Sequence, residues 1–174
     1  MKSTKKVTFC AILSALCTVI MLVSYFPYLT YAVPAFASLT IMVIVIEAGC
    51  KWAFFSYLTA SFLTFLFAET ESKILFIMLF GFYPIVKSLI EKINKPIAEW
   101  VIKLLLFNAS VLAAYFVITR LFMLPLDDFG NLQKYGTAIL LTLGNVVFVF
   151  YDITVSKLAV TYIQKLHNRV SKFL

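Results

Sequence analysis

An all-α integral membrane protein of six transmembrane helices, with both termini on the inner side, is the fold class this chain predicts. Three observations predict it. Of 174 residues, 63% are hydrophobic and only 13% charged, more apolar surface than a water-soluble domain can hide. The apolar residues fall into runs of roughly 20, the length a helix needs to cross the hydrocarbon core, with little chain between them. The basic residues collect at the ends of alternate runs. With six spans and an inner N-terminus, the inner segments hold Lys2, Lys5, Lys6, Lys51, Lys92, Lys95, Lys165, Arg169 and Lys172. The outer connections hold Lys73 and Lys134, with Arg120 near the outer end of span five. Basic residues favour the cytoplasmic side, so this asymmetry predicts N-in and C-in, and an odd span count would put one basic terminus outside. The expectation is a single transmembrane domain over 1–174, multi-pass in a plasma membrane, with no room for an extramembrane catalytic domain. The net charge of +7 is spread over span ends, where it reports orientation rather than nucleic-acid binding.

Span one is expected from Val7 to Phe26. Small or weakly polar residues recur in it at Thr8, Ala11, Ser14, Ala15 and Thr18, and large ones (Ile12, Leu13, Ile20, Met21) lie opposite. Spacings of three and four put Ala11, Ser14, Ala15 and Thr18 on one helical face. Lipid tails are as apolar as leucine, so close approach between small residues is what brings membrane helices together. That face suits either packing within this chain or docking of another membrane subunit. The run is too long for a cleaved signal peptide and lacks a small-x-small cleavage site before a polar stretch, and Leu16 is too bulky for lipoprotein processing at Cys17. Cys10, Cys17 and Cys50 form no C-x-x-C and read as small buried residues.

The connection Pro27 to Pro34 is bent by two prolines and rich in aromatics suited to the membrane surface. Span two follows at about Ala35–Cys50, with a turn over Glu47–Lys51, and span three at Trp52–Ala68. Glu69–Lys73 is a short polar loop. Span four, Ile74–Ile90, contains Gly81-Phe82-Tyr83-Pro84, where the proline should kink the helix. A charged loop over Glu91–Pro96 leads to span five, Ile97–Leu121. Leu124–Tyr135 is the longest polar connection, and span six runs from Thr137 to Val160 before a basic tail.

No catalytic constellation appears: no phosphate loop, no H-E-x-x-H, no G-x-S-x-G. The expectation is a protein that is not an enzyme and carries no cofactor or metal. His167 reads as an exposed tail residue. Polar residues inside spans are costly and therefore informative. Asn108 and Asn145 fall near mid-bilayer at ~1.5 Å per residue. Tyr115 lies seven positions from Asn108 on the same face, and Tyr83 sits at similar depth. The amides can bind each other or, with the phenols, face a polar ligand from outside beneath a cap of Tyr28 and Tyr31. An inner set comprises Glu47, Lys87, Glu99, Lys103, Asp152 and Lys157. Glu99 and Lys103 are spaced as an intrahelical pair, and Asp152 is expected to pair with Lys103 or Lys87. Structural ion pairing and snorkelling account for this set better than a proton relay, because lysines dominate.

Six spans in so short a chain, both termini inside, and Ala11-x-x-x-Ala15 after a lysine-rich start resemble the S-components of energy-coupling factor (ECF) transporters. Gly81-Phe82-Tyr83-Pro84 and Gly144-Asn145…Asp152 are similar in style. The resemblance spans essentially the whole chain on short motifs. It implies a substrate-binding subunit of an ECF-type ABC importer that captures a vitamin or related micronutrient from outside. It also implies partners: a transmembrane coupling subunit meeting Ala11 and Ala15, and two cytosolic ATPases. The competing expectation is a structural or accessory membrane protein with no substrate.

Overall fold

The computed structural model describes residues 3–26, 28–121, 136–167 and 170, without the side chains of residues 3, 115, 118–121 and 136–140. Among the described residues it is all-helical, with no strand. Helix α1 (Ser3–Leu22) tightens into a 3₁₀ turn at Val23–Tyr25. α2 (Ala32–Ala48) and α3 (Cys50–Phe67) follow, then a broken rod of α4 (Thr70–Leu75), a wide π turn (Phe76–Phe80) and α5 (Tyr83–Ile90). Last come α6 (Pro96–Leu121) and α7 (Gly136–Tyr162), which widens into a π turn at Ile163–His167.

The breaks have local causes. Pro34 lies in the first turn of α2, where its missing N–H would lack a partner anyway. Gly49 alone separates α2 from α3. Its φ of 91° lies where a side chain would be strained, and its N–H closes α2 by donating to Ile44 O and Val45 O. The expected loop at Glu69–Lys73 is instead the start of a helix. The Glu69 carboxylate accepts from the N–H groups of Glu71 (3.1 Å) and Ser72 (3.0 Å), which caps α4. Asn94 adopts a left-handed φ of 55°, and Pro96 then opens α6.

The break in the fourth rod is more elaborate than a proline kink. Gly81 N–H donates to Phe76 O at 2.7 Å, five residues back, which leaves Ile77 O without its helical partner. The Tyr57 hydroxyl from α3 meets that carbonyl at 2.7 Å. A Cβ on Gly81 would lie 2.8 Å from both Phe76 O and the Tyr57 ring, so glycine is what lets the phenol approach. A freed backbone group inside a membrane needs such a partner.

α2 is the hub, packing on α1, α3, α5 and α7. The largest core cluster joins Cys17, Met21, Ala37, Ile41, Ile44, Ala53, Ala60 and Phe76. A second gathers Leu79, Tyr83, Phe107 and Phe148. The outward faces are apolar too: Ile12, Val19, Phe55, Phe62, Leu105, Val147 and Phe150 are all exposed. Water would penalise so large an apolar surface, whereas lipid is indifferent to it. Five segments are long and apolar enough to cross a membrane: Thr4–Tyr25, Cys50–Phe67, Thr70–Ile93, Pro96–Ala114 and Leu141–His167. α2, with 17 residues, is shorter, about 25 Å at ~1.5 Å per residue. It begins at Ala32 rather than Ala35, and the last helix runs on past Val160 to His167.

Contacts gather the connections at two ends. At one, Tyr25 donates to Phe67 O, Tyr31 to Glu71 and Ser72 to Thr30 O. At the other, Glu47 meets Tyr162 and His167, and Lys103 meets Glu91. The connection expected at Leu124–Tyr135, the Arg120 side chain, and Lys2, Lys134, Arg169 and Lys172 lie outside the described residues.

Candidate functional site

The densest chemistry is a buried ionic cluster where α5, α6 and α7 converge. Asp152, Lys87 and Lys103 are each 5% exposed or less. Asp152 Oδ1 accepts from Lys87 Nζ and from the Tyr83 hydroxyl (2.5 Å), and Oδ2 accepts from Lys103 Nζ at 3.2 Å. Glu91 Oε1 lies 2.9 Å from Lys87 Nζ and 3.1 Å from Lys103 Nζ. Two ammonium groups thus face two carboxylates. Glu91, at the helix end with its side chain 43% exposed, ties the buried trio to the surface. Isolated charges here would be expensive, and mutual pairing with extra hydrogen bonds is what makes them tolerable. Asp152 meets both of the lysines considered for it. Lys103 turns to Glu91 and Asp152 rather than to Glu99, because Glu91 stands one turn beyond Lys87 on the side of the rod that Lys103 reaches.

Aromatic rings cover this cluster. Phe148 stacks on Phe107 at 4.5 Å between centroids and receives Tyr83 edge-on at 5.1 Å. Tyr151 hydrogen-bonds Ser38 on the hub helix at 2.6 Å. One residue further along α6 and three back along α7 come Asn108 and Asn145, which pair reciprocally. Each Nδ2 donates to the other's Oδ1 (3.1 and 3.0 Å) and to a carbonyl four residues back, Leu104 O and Leu141 O. All four amide N–H groups are satisfied. Gly144 permits this closeness, since a Cβ there would sit 3.2 Å from the Phe107 ring.

The residues expected to line one ligand site therefore stand in separate places. Tyr83 is fully buried and spent on Asp152, so it does not face outward with the amides. Asn108 and Asn145 close on each other. Tyr28 is 98% exposed at a positive φ of 72°, and Tyr31 donates to Glu71 Oε2 at 2.8 Å, at the opposite end from the ionic cluster. The Tyr115 side chain lies outside the described residues. The correction has one physical cause: depth along a helix can be counted in sequence, but the direction a phenol faces depends on which helix lies beside it.

The small face of α1 divides. Ser14 and Cys17 are buried, against Ser56 O on α3 and Ala37 O on α2. Ala11 and Ala15 are exposed together with Ile12, Leu16 and Val19. His167 is also placed differently than expected. Its Nδ1 lies 2.9 Å from Glu47 Oε1, which Tyr162 also reaches at 3.0 Å, so the last turn is fastened to α2. Glu91, expected in a loop, joins the network through its spacing of four from Lys87, a sequence signal that the loop reading left unused. The Glu47 contacts, spanning more than 100 residues, had none.

Two open grooves follow the outer surface of α6. One of about 760 Å³ lies between α3 and α6 over the π turn; the other, about 580 Å³, surrounds Lys95 and Pro96. None of the residues expected to bind ligand lines either. Among the described residues, no group of three or more His, Cys, Asp or Glu side chains is placed to hold a metal ion. Compared with family models, curated proteins and solved structures, the chain finds no match.

Proposed function

We propose that the chain is a six-span, N-in/C-in substrate-binding subunit of an ECF-type importer. In this reading it captures a vitamin-like small molecule from outside and leaves ATP hydrolysis to partner subunits. The observation that carries the proposal is the free face at Ala11 and Ala15. Ser14 and Cys17 are used within the fold, but Ala11 and Ala15 stay exposed and permit close approach of a foreign helix. Charge distribution supports the orientation. Lys5, Lys6, Lys51, Lys92, Lys95 and Lys165 belong to the end marked by Glu47 and Glu91, whereas Lys73 belongs to the other. Substrate enters at the Tyr28 and Tyr31 end, and a ligand reaching Asn108 and Asn145 must exchange with their mutual bonds.

The experiment is purification in mild detergent followed by mass spectrometry of co-purifying small molecules, for wild type and Asn145→Ala. A specific molecule retained by the first and lost by a folded second supports the proposal. No retained molecule, and no capture of a coupling subunit and its ATPases, overturns it. The closed amide pair itself favours the second reading, a structural membrane protein whose polar residues only join helices.

A further inference from the structure

We infer that the outer surface of α6 carries a binding site for an anionic phospholipid, with one acyl chain in the groove between α3 and α6 and the headgroup at Lys92 and Lys95. This rests on the membrane-spanning reading alone and is independent of transport.

The two grooves are neighbours. Both are lined by Ile102, so the hollow around Lys95 and Pro96 meets the apolar groove along α6 at that side chain. On α6 the path follows Ala98, Ile102, Leu105, Ala109 and Ala113, one face at spacings of three and four. From Ala98 to Ala113 is about 22 Å at ~1.5 Å per residue, longer than the ~15 Å of hydrocarbon in one leaflet. A single tail can therefore lie along it. The groove is lined by Ile77 and Met78 of the π turn, by Phe82 and by Tyr57, whose hydroxyl is fixed on Ile77 O, and the small side chains of Ala109 and Ala113 leave room along α6.

Charge completes the argument. Lys95 lines the mouth and Lys92 lies in the same connection; both are exposed, and neither forms a salt bridge among the described residues. Of the nearby carboxylates, Glu91 is shared by Lys87 and Lys103, and Glu99, one helical turn from both Lys95 and Lys103, forms a salt bridge with neither among the described residues. Basic residues at a membrane boundary beside an apolar cleft suit a phosphodiester headgroup with its tail alongside.

The test is reconstitution in nanodiscs of phosphatidylcholine containing one-fifth phosphatidylglycerol, then detergent extraction and native mass spectrometry of retained lipid. Wild type should retain phosphatidylglycerol well above its bulk share. Lys92→Gln/Lys95→Gln should lower that enrichment by roughly tenfold, and Ala109→Trp should reduce retention of both lipids by filling the groove. Soluble glycerol phosphate should not compete, because it lacks the tail. Retention at the bulk ratio in wild type overturns the inference, as does enrichment unchanged in the lysine variant. Competition by glycerol phosphate would make the site a phosphate site instead. Should a variant fail to fold, raising salt on wild type is the substitute, since screening must lower the enrichment.

Discussion

The α1–α3 half and the α5–α7 half of the bundle share one solvent and are held together differently. In the first, Cys17, Ala37, Ala53 and Ala60 let backbones approach, with Met21, Ile41 and Ile44 filling between them. Each contact is small, and none is indispensable. In the second, a few polar side chains bear the association: Asp152 with its lysines, and the two asparagines. Cohesion by packing is diffuse; cohesion by buried charge is concentrated, so damage should be concentrated too.

The largest effect should follow from Asp152→Leu. It leaves Lys87 and Lys103 buried with only Glu91 to share, a loss of about 3–5 kcal/mol read as a lower unfolding midpoint in detergent. Asp152→Leu combined with Lys103→Met should recover part of it. A midpoint equal to wild type in the single variant would remove the contrast between the halves. At the seam, Gly81→Ala forces a Cβ against Phe76 O and the Tyr57 ring and should cost about 1–3 kcal/mol. Tyr57→Phe/Gly81→Ala should fare no better, since Ile77 O then loses its donor.

The asparagines come next. A double-mutant cycle over Asn108→Leu and Asn145→Leu should give a coupling of about 0.6–1.7 kcal/mol, the range for hydrogen bonds within membranes. Zero coupling would mean the reciprocal pair contributes nothing, and the contrast would rest on the ionic cluster alone. In the packed half, Ile41→Val should cost only about 0.5–1.5 kcal/mol. If it matches Asp152→Leu, cohesion is not concentrated as described. Smallest of all should be Ala15→Trp, within about 0.5 kcal/mol as expected for an exposed site, with any loss confined to capture of a partner. Unfolding by this variant would return that face to internal packing.

Much of the frame was legible in the residues. Apolar run lengths pointed to helices long enough to cross a membrane, and Pro34, Gly49, Pro84 and Pro96 marked the breaks because each removes or redirects a backbone donor. The depth of Asp152, Lys87 and Lys103 could be counted along their helices, so their association could be anticipated. Less of the candidate site was legible. Glu91 lay in what read as a loop, and no feature of the chain near Glu47 announced Tyr162 and His167. The π turn held open by Tyr57 read only as a proline kink, because the phenol that stabilises it sits on another helix.

By itself, then, the sequence determined that this is a bundle of apolar helices, where those helices break, and how far along its helix each polar group lies. Helical periodicity is local, set by hydrogen bonds a few residues apart, and side-chain chemistry can be placed on it by counting. Only the tertiary structure decided what each polar group faces, Asn108 against Asn145, Tyr83 against Asp152 and Lys103 against Glu91, and that Ala11 and Ala15 stay exposed among the described residues. Those choices depend on the angular order of helices around α2. In an apolar solvent that order is decided by the few polar pairs and small-residue contacts that win over their alternatives, a competition between distant segments that no stretch of sequence contains.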